Sequence, residues 1–475
     1  MAYDAVAAIR DLQEENLLEA VLLPGPQGAR IVPAAELEGR DVAGSFQGAG
    51  LDSRRLDPGN LFVALAGQKV DGRRFVPAVL AAGHWTLTRH IPQDDPLNGA
   101  PLASGSGALL CCEPEKALAC LARRWRRRLE ISLLGITGTN GKTTTKDLAR
   151  ALLGGAGPTQ ATQGNFNNQL GLPITLLNLR PETRYAVIEM GASAVGEIRF
   201  LAGVAEPDVG LITNASAAHL EEFGSLENII AGKGELLEAL PPDGRAILNA
   251  DSPGYEQWRA RSVCPVVSWG RQTGDHRWSH AAAAGDLILD GETWPVTLPG
   301  AHNAANLCAA ILAGRALGVT DAQLRDGLAH FTPSEHRSRL FTWNGRTILD
   351  DSYNANPGSL QAAAQALLDL PAAGRKLAVL GRMAELGPDS AGLHRESGAA
   401  LARLGLDGLL AVGEGARELA TGFGTDAGGE ALGSQEQAFL WLEQNTAEGD
   451  AILVKGSRSA GMDRVVRLME EGMEA

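Results

Sequence analysis

Gly135-Ile136-Thr137-Gly138-Thr139-Asn140-Gly141-Lys142-Thr143-Thr144 lies between an apolar run at 132–136 and a helical pattern at 144–153. A strand, a glycine-rich turn and a helix in that order can cradle a phosphate. Glycines let backbone N–H groups face the oxygens, and the helix N-terminus adds the positive end of its dipole. Lys142 is spaced to reach terminal phosphates and Thr143 to offer a hydroxyl to Mg²⁺. Gly138, Thr139, Asn140, Gly141, Lys142, Thr143 and Thr144 are therefore the candidate ATP-binding residues. The strict spacing of such loops asks for a glycine where Ile136 stands; here the glycines fall at 135 and 138. An ordinary glycine-rich βα turn is the competing reading, and the Gly-Lys-Thr ending argues against it.

Outward from the loop, apolar runs alternate with helical stretches. Residues 133–137, 186–189, 209–213 and 246–249 read as buried parallel strands of a doubly wound α/β domain. A second βα series follows Phe331, with strands at 347–351, 377–380, 408–412 and 451–454, and reads as Rossmann-like. The first hundred residues read as a small mixed domain whose strand at 61–65 follows the turn Asp57-Pro58-Gly59-Asn60. The Pro-, Gly- and Ser-rich segment 94–107 marks a boundary. The expectation is an α/β protein of three domains, 1–112, 113–330 and 331–475, in keeping with 475 residues.

Composition narrows the function classes. A hydrophobic fraction of 44% and a charged fraction of 21% suit a folded globular chain. Net charge is −14, which repels a nucleic-acid backbone, and the basic run Arg123-Arg124-Trp125-Arg126-Arg127-Arg128 reads as a solvated helix face or linker. Five cysteines without CxxC spacing argue against a disulfide framework or a zinc site and fit a reducing cytoplasm. The first twenty residues carry Asp4, Asp11, Glu14 and Glu15 and lack a signal-peptide pattern, and no stretch has the apolar length of a membrane span. A soluble, cytoplasmic monomer with no nucleic-acid partner is expected.

A phosphate loop alone serves switches, motors and kinases, so the remaining polar residues must decide. The run Tyr185-Ala186-Val187-Ile188-Glu189 delivers Glu189 to the carboxyl end of a strand, where ligands of open α/β sheets gather, and its carboxylate suits Mg²⁺. A merely solvated strand end is the alternative. His219 falls just past the strand at 209–213, where a structural histidine competes with a metal ligand.

The order GTNGKTT, GNFNNQLGLP at 164–173, IEMG, TNASAAHLEEFGS and AGKGE at 231–235 resembles the Mur ligase family of peptidoglycan synthesis over nearly the whole chain. The segments LPGAHNAANLCAA at 298–310, LDDSYNANPGS at 349–359, AVLGRMAELG at 378–387 and LVKGSRSAGM at 453–462 resemble the members that add D-alanyl-D-alanine. The resemblance implies an N-terminal uridine-nucleotide-binding domain, a central P-loop domain and a C-terminal Rossmann-like domain. It implies that ATP phosphorylates the terminal carboxylate of UDP-N-acetylmuramoyl-tripeptide and that the amine of D-alanyl-D-alanine then displaces phosphate.

By the same resemblance, Lys142, Glu189, His219 and Lys233 are catalytic. Thr143 and Glu189 hold one Mg²⁺ and His219 a second, and Lys233 matches a lysine that is carbamylated in several relatives. His302, Asn303 and Asn306 match an adenine-contacting motif, although His-Asn before an Ala-rich run also fits helix initiation. Arg339, Asp350 and Asp351 belong near the ribose and phosphates. Asn354, Asn356, Lys455, Ser457 and Arg458 belong around the dipeptide, and Ser53 and Arg54 near the nucleotide sugar. Two positions depart from the family pattern: Ser338 stands where Gly is usual, and Arg382 where a carboxylate is common. Another Mur-type or folylpolyglutamate-synthase-like ligase, a P-loop switch or motor, and a non-catalytic nucleotide scaffold are the alternatives. The DDSYNANP segment argues against the first, and the full set Lys142, Thr143, Glu189 and His219 against the last.

Overall fold

The computed structural model describes residues 2–25, 28–38, 40, 42–67, 70–90, 97, 102–216, 220–281 and 285–474. It resolves into two compact units, one of Met1–Gly135, Gly157–Gly191 and Glu197–Asp208, the other of Ile136–Ala156, Ala192–Gly196 and Val209–Ala475.

In the first unit, Leu61–Ala64 is apolar on both faces and buried throughout, as a central strand requires. It lies in a six-stranded mixed sheet ordered Gly28–Pro33, Leu18–Gly25, Gly107–Cys111, Trp85–Arg89, Leu61–Ala64, Ala49–Gly50. The first two pairings are antiparallel and the rest parallel. Because Gly107–Cys111 sits in the middle of this sheet, the expected boundary at 94–107 is a correction. The chain there leads between two strands of one sheet, and a Pro/Gly/Ser-rich tract marks any loop, not only a linker; residues 94–96 and 98–101 of it lie outside the described residues.

The basic run ends the helix Pro114–Arg128, which has Pro in its first turn and three arginines in its last, as the helix dipole favours. Its charges are consumed locally. Arg124 pairs with Glu14 at 3.0 Å, Arg126 with Asp208 at 3.2 Å and Arg128 with Asp11 at 2.7 Å, while Arg127 pairs with Glu206. This unit also holds Thr159–Ala161 and Tyr185–Glu189 in parallel, followed in sheet order by Ser132–Thr137.

Ser132–Thr137 begins in the first unit and ends in the second. There Val209–Ile212, Arg245–Asn249, Val266–Gly270 and His276–Ala281 run parallel in that order, extended by the antiparallel strands Asp286–Leu289 and Glu292–Pro295. The second unit also contains a six-stranded sheet ordered Arg339–Trp343, Arg346–Asp351, Ala451–Lys455, Lys376–Gly381, Gly408–Val412, Gly429–Leu432. All its pairings are parallel except the first, a hairpin turned by Asn344 (φ 45°) and Gly345 (φ 77°), the left-handed pair that a tight hairpin demands. The register Asp351 opposite Lys455 brings the carboxyl ends of two neighbouring strands to one edge.

Candidate active site

The phosphate loop closes on the helix Lys142–Gly154, whose N-cap Gly141 is left-handed at φ 80°. Gly138, at φ 148°, faces Thr213: a Cβ there would meet Thr213 Oγ1 at 1.9 Å. The loop is pinned from the segment after Val209–Ile212. The Thr139 N–H donates to Asn214 O at 2.9 Å and the Asn140 N–H to Asn214 Oδ1 at 3.0 Å. Thr213 Oγ1 donates to Asn140 O at 2.6 Å. Thr213, Asn214 and Ser216 are supports that spacing alone did not single out. The Lys142 ammonium lies across the loop's own carbonyls, 2.8 Å from Gly138 O and 3.1 Å from Thr139 O, where a terminal phosphate would compete for it. Thr143 and Thr144 sit in the first turn of the helix.

Lys233, on the helix Leu226–Glu238, is 3% exposed. Burial, then the charge of Lys142, push its ammonium well below the usual lysine range. Its neighbour Phe223 presents a ring centroid 5.7 Å from Nζ. Burial beside a second cation disfavours the charged form of such an amine and favours the nucleophilic one.

Glu189 is 2% exposed; Oε1 accepts from Asn167 Nδ2 at 2.8 Å, while Oε2 is buried with no hydrogen-bond partner. A buried carboxylate oxygen left without a donor is the acceptor a hard cation would satisfy. His219 lies outside the described residues.

The helix Ala301–Ala316 starts beside the loop. Asn306 faces Gly141 so closely that a Cβ at 141 would meet its Oδ1 at 2.3 Å. Asn303 Nδ2 donates to Pro299 O at 2.8 Å and Asn306 Nδ2 to Asn303 Oδ1 at 3.2 Å, so these amides brace the helix start and the loop. Burial pushes the His302 imidazole down to about 4, against an ordinary 6.5, partly offset by nearby Asp351. It is therefore neutral at physiological pH.

At the edge of the C-terminal sheet, Lys455 is 3% exposed and paired with Asp351; it also donates to Asn354 O at 2.8 Å. Asp351 Oδ1 accepts the Ser338 N–H at 3.0 Å. Asp350, fully buried, accepts from Ser352 Oγ at 2.7 Å and faces His336 Nδ1 at 2.9 Å. Arg339 turns to Glu470 at 2.6 Å and Asp350 at 3.5 Å. Ser338 adopts φ 51°, left-handed backbone that favours glycine. Asn356 caps the helix Pro357–Asp369 in a capping box with Ser359, and its Nδ2 donates to Asn140 Oδ1 at 2.7 Å, joining this sheet to the phosphate loop. Asn354 is exposed, with Oδ1 accepting from the Ala355 N–H at 2.9 Å. Ser457 is buried, its N–H donating to Arg382 O at 2.9 Å; Arg458 is exposed and its Nη1 donates to the Tyr353 hydroxyl at 3.3 Å. Arg337, which sequence reading passed over, and Tyr353, quoted only as part of DDSYNANP, join this edge, the guanidinium 4.0 Å from the ring centroid.

In the first unit a cavity of about 1120 Å³ is lined by Gln47, Asp52, Arg55, Asn60, Trp125 and Glu182, among others. It is roomy enough for a nucleotide sugar. Ser53 and Arg54 do not line it. Arg54 instead holds Asp52 in a two-pronged pair at 2.9 and 2.8 Å, and that guanidinium keeps the Asp52 carboxyl below the usual range.

A strand-to-helix phosphate loop, a buried unsatisfied carboxylate and a C-terminal sheet bonded to the loop define an ATP-using ligase architecture, and comparison with known proteins agrees. Residues 136–314 match the Mur ligase middle domain and residues 336–458 the Mur ligase glutamate ligase domain. The UDP-N-acetylmuramoyl-tripeptide–D-alanyl-D-alanine ligase of Escherichia coli K12 is 36% identical, covering 92% of this chain and 96% of the relative. MurF from Acinetobacter baumannii superposes with TM-score 0.78 at 31% identity, covering 90% of this chain and 94% of the other. MurF from Thermotoga maritima, solved in complex with ADP, gives TM-score 0.75 at 28% identity, covering 90% and 98%. The chain belongs to the Mur ligase family.

Proposed function

We propose that this chain ligates D-alanyl-D-alanine to UDP-N-acetylmuramoyl-tripeptide at the expense of ATP, through an acyl phosphate, giving the pentapeptide precursor of peptidoglycan. The observation that carries the reading is the Asn356–Asn140 hydrogen bond. It couples the sheet whose DDSYNANP segment marks the D-alanyl-D-alanine-adding members to the loop that holds ATP. The E. coli, A. baumannii and T. maritima relatives support the same substrates over other Mur-type or folate-type ligases.

A carboxylate oxygen of the tripeptide attacks the γ-phosphorus, and the bond from phosphorus to the bridging oxygen breaks with ADP as leaving group. The loop N–H groups and Lys142 offset the charge that gathers as anion meets anion. The neutral amine of D-alanyl-D-alanine then attacks the acyl carbon, phosphate leaves, and the amine gives up a proton as the amide forms. Neutral His302 stacks on adenine, and Arg339 and Asp351 take their places near the ribose and phosphates.

Thr143, Glu189 and His219 would hold Mg²⁺, which when bound supplies Lewis-acid neutralisation of the phosphates; the orphaned Glu189 Oε2 fits that role. Lys233, whose charged form burial disfavours, attacks CO₂ through Nζ: an N–C bond forms, a proton is lost, and the resulting carbamate offers oxygen ligands in place of a cation. Ser53 and Arg54 belong near the nucleotide sugar, and Asn354, Ser457 and Arg458 around the dipeptide. The division into 1–112, 113–330 and 331–475, a monomeric state and a cytoplasmic site complete the proposal; no described helix is long and apolar enough to cross a membrane.

The test is direct. Purified protein with ATP, Mg²⁺, UDP-tripeptide and D-alanyl-D-alanine should yield a product whose mass is the sum of the two peptides less water. Hydrolysis of ATP that needs neither peptide, with no such product, would favour a switch or motor.

A further inference from the structure

Three chain segments meet at one edge of the C-terminal sheet. Tyr353 follows the strand Arg346–Asp351, and Arg458 follows Ala451–Lys455, its parallel neighbour. Arg337 precedes Arg339–Trp343, whose Arg339 is opposite Asp350, so it enters at the same edge. The Arg337 guanidinium carbon lies 4.0 Å from the Tyr353 ring centroid and that of Arg458 5.6 Å, with Arg458 Nη1 on the phenol oxygen at 3.3 Å. The platform is fixed, because the Tyr353 N–H donates to His336 O at 3.1 Å.

Among the described residues, neither Arg337 nor Arg458 has a carboxylate partner, whereas nearby Arg339 has two and Lys455 is neutralised by Asp351. Two like charges held on one ring in a chain of net charge −14 is an arrangement that an anion would complete. We infer that Arg337 and Arg458, mounted on Tyr353, clamp the carboxylate of the incoming D-alanyl-D-alanine and set the requirement for a free carboxyl terminus. This rests on the ligase reading above.

The terminal phosphates are served by Lys142 and the loop N–H groups. Lys455, a sequence candidate for the dipeptide carboxylate, is occupied by Asp351 and the Asn354 carbonyl. Reach also fits the dipeptide. Tyr353 stands three residues from Asn356, which touches the phosphate loop, and three residues span at most about 11 Å. That bound is on the scale of an extended dipeptide, so a peptide gripped by its carboxylate here has the loop within reach of its amine. The planar fork of arginine grips a carboxylate through two N–H groups, which an uncharged amide cannot match.

The experiment compares D-alanyl-D-alanine with D-alanyl-D-alaninamide in the full-length enzyme. The wild type should prefer the acid by about ten- to a hundred-fold in kcat/KM. Arg337→Gln and Arg458→Gln should each raise the KM for the acid about ten-fold or more, with the effect on KM rather than kcat, and shrink the acid-to-amide preference. Arg458→Lys should recover part of that preference, an outcome that a merely misfolded variant would not give. A wild type that uses acid and amide equally overturns the clamp without any variant. Glutamine variants whose KM rises for ATP or UDP-tripeptide instead also overturn it. A wild type that forms no amide at all refutes the ligase reading, and the clamp with it.

Discussion

Gly138→Ala tests the loop most sharply. Alanine at φ 148° enters backbone space that belongs almost only to glycine, costing about 1–3 kcal/mol. Its Cβ would also sit 1.9 Å from Thr213 Oγ1, so Thr213 must rotate away and give up its 2.6 Å hydrogen bond to Asn140 O, about 1 kcal/mol more. The sum, about 3 kcal/mol, falls on the segment whose N–H groups receive the phosphates. It should lower kcat/KM for ATP roughly a hundred-fold, measured by coupled release of ADP. Thr213→Ala removes the oxygen but leaves Cβ and N each 3.1 Å from the new methyl. The double variant should therefore be no slower than Gly138→Ala alone, because both singles lose the same hydrogen bond. A Gly138→Ala enzyme within two-fold of wild type, or a double variant whose losses simply add, would refute this account of the loop.

Lys233→Ala should abolish ligation without rescue by bicarbonate, and ¹³C-bicarbonate should give the wild type a carbamate resonance that the variant lacks; full activity of the variant would sink the idea. Ser338→Gly relieves a left-handed serine at φ 51° and should leave stability unchanged or raise it by up to about 1 kcal/mol in urea titration, whereas a clear loss would show that the serine side chain is needed. His302 is held near 4 when folded, below its ordinary 6.5, so between these values the unfolded chain binds the extra proton. Its contribution is complete above about 6.5 and is lost as pH falls toward 4. His302→Leu should flatten the fall in melting temperature across that window, and an unchanged pH slope would contradict the burial.

The parallel strands were legible because apolar runs buried on both faces leave little else for the chain to form. The expected runs at 186–189 and 408–412 appear as Tyr185–Glu189 and Gly408–Val412. The hairpin strand Arg339–Trp343 was missed, although Asn344-Gly345 is a strong turn signal, since Arg339, Phe341 and Thr342 alternate only weakly. The phosphate loop was readable from glycine and lysine spacing. Its supports were not: Thr213, Asn214 and Asn356 come from distant segments, and no local pattern announces hydrogen bonds across 73, 74 and 216 residues. Asn356 was expected at the dipeptide, yet its side chain is occupied by a helix cap and the loop. Arg337 lies outside every quoted motif and Tyr353 within DDSYNANP, and only the meeting of three chain segments reveals their contact.

The central claim is that phosphate passes through the tripeptide carboxylate. UDP-tripeptide labelled with ¹⁸O in its terminal carboxylate, turned over with ATP, Mg²⁺ and D-alanyl-D-alanine, should release inorganic phosphate carrying one ¹⁸O for every amide bond formed. Phosphate free of label while pentapeptide accumulates would contradict the acyl-phosphate route.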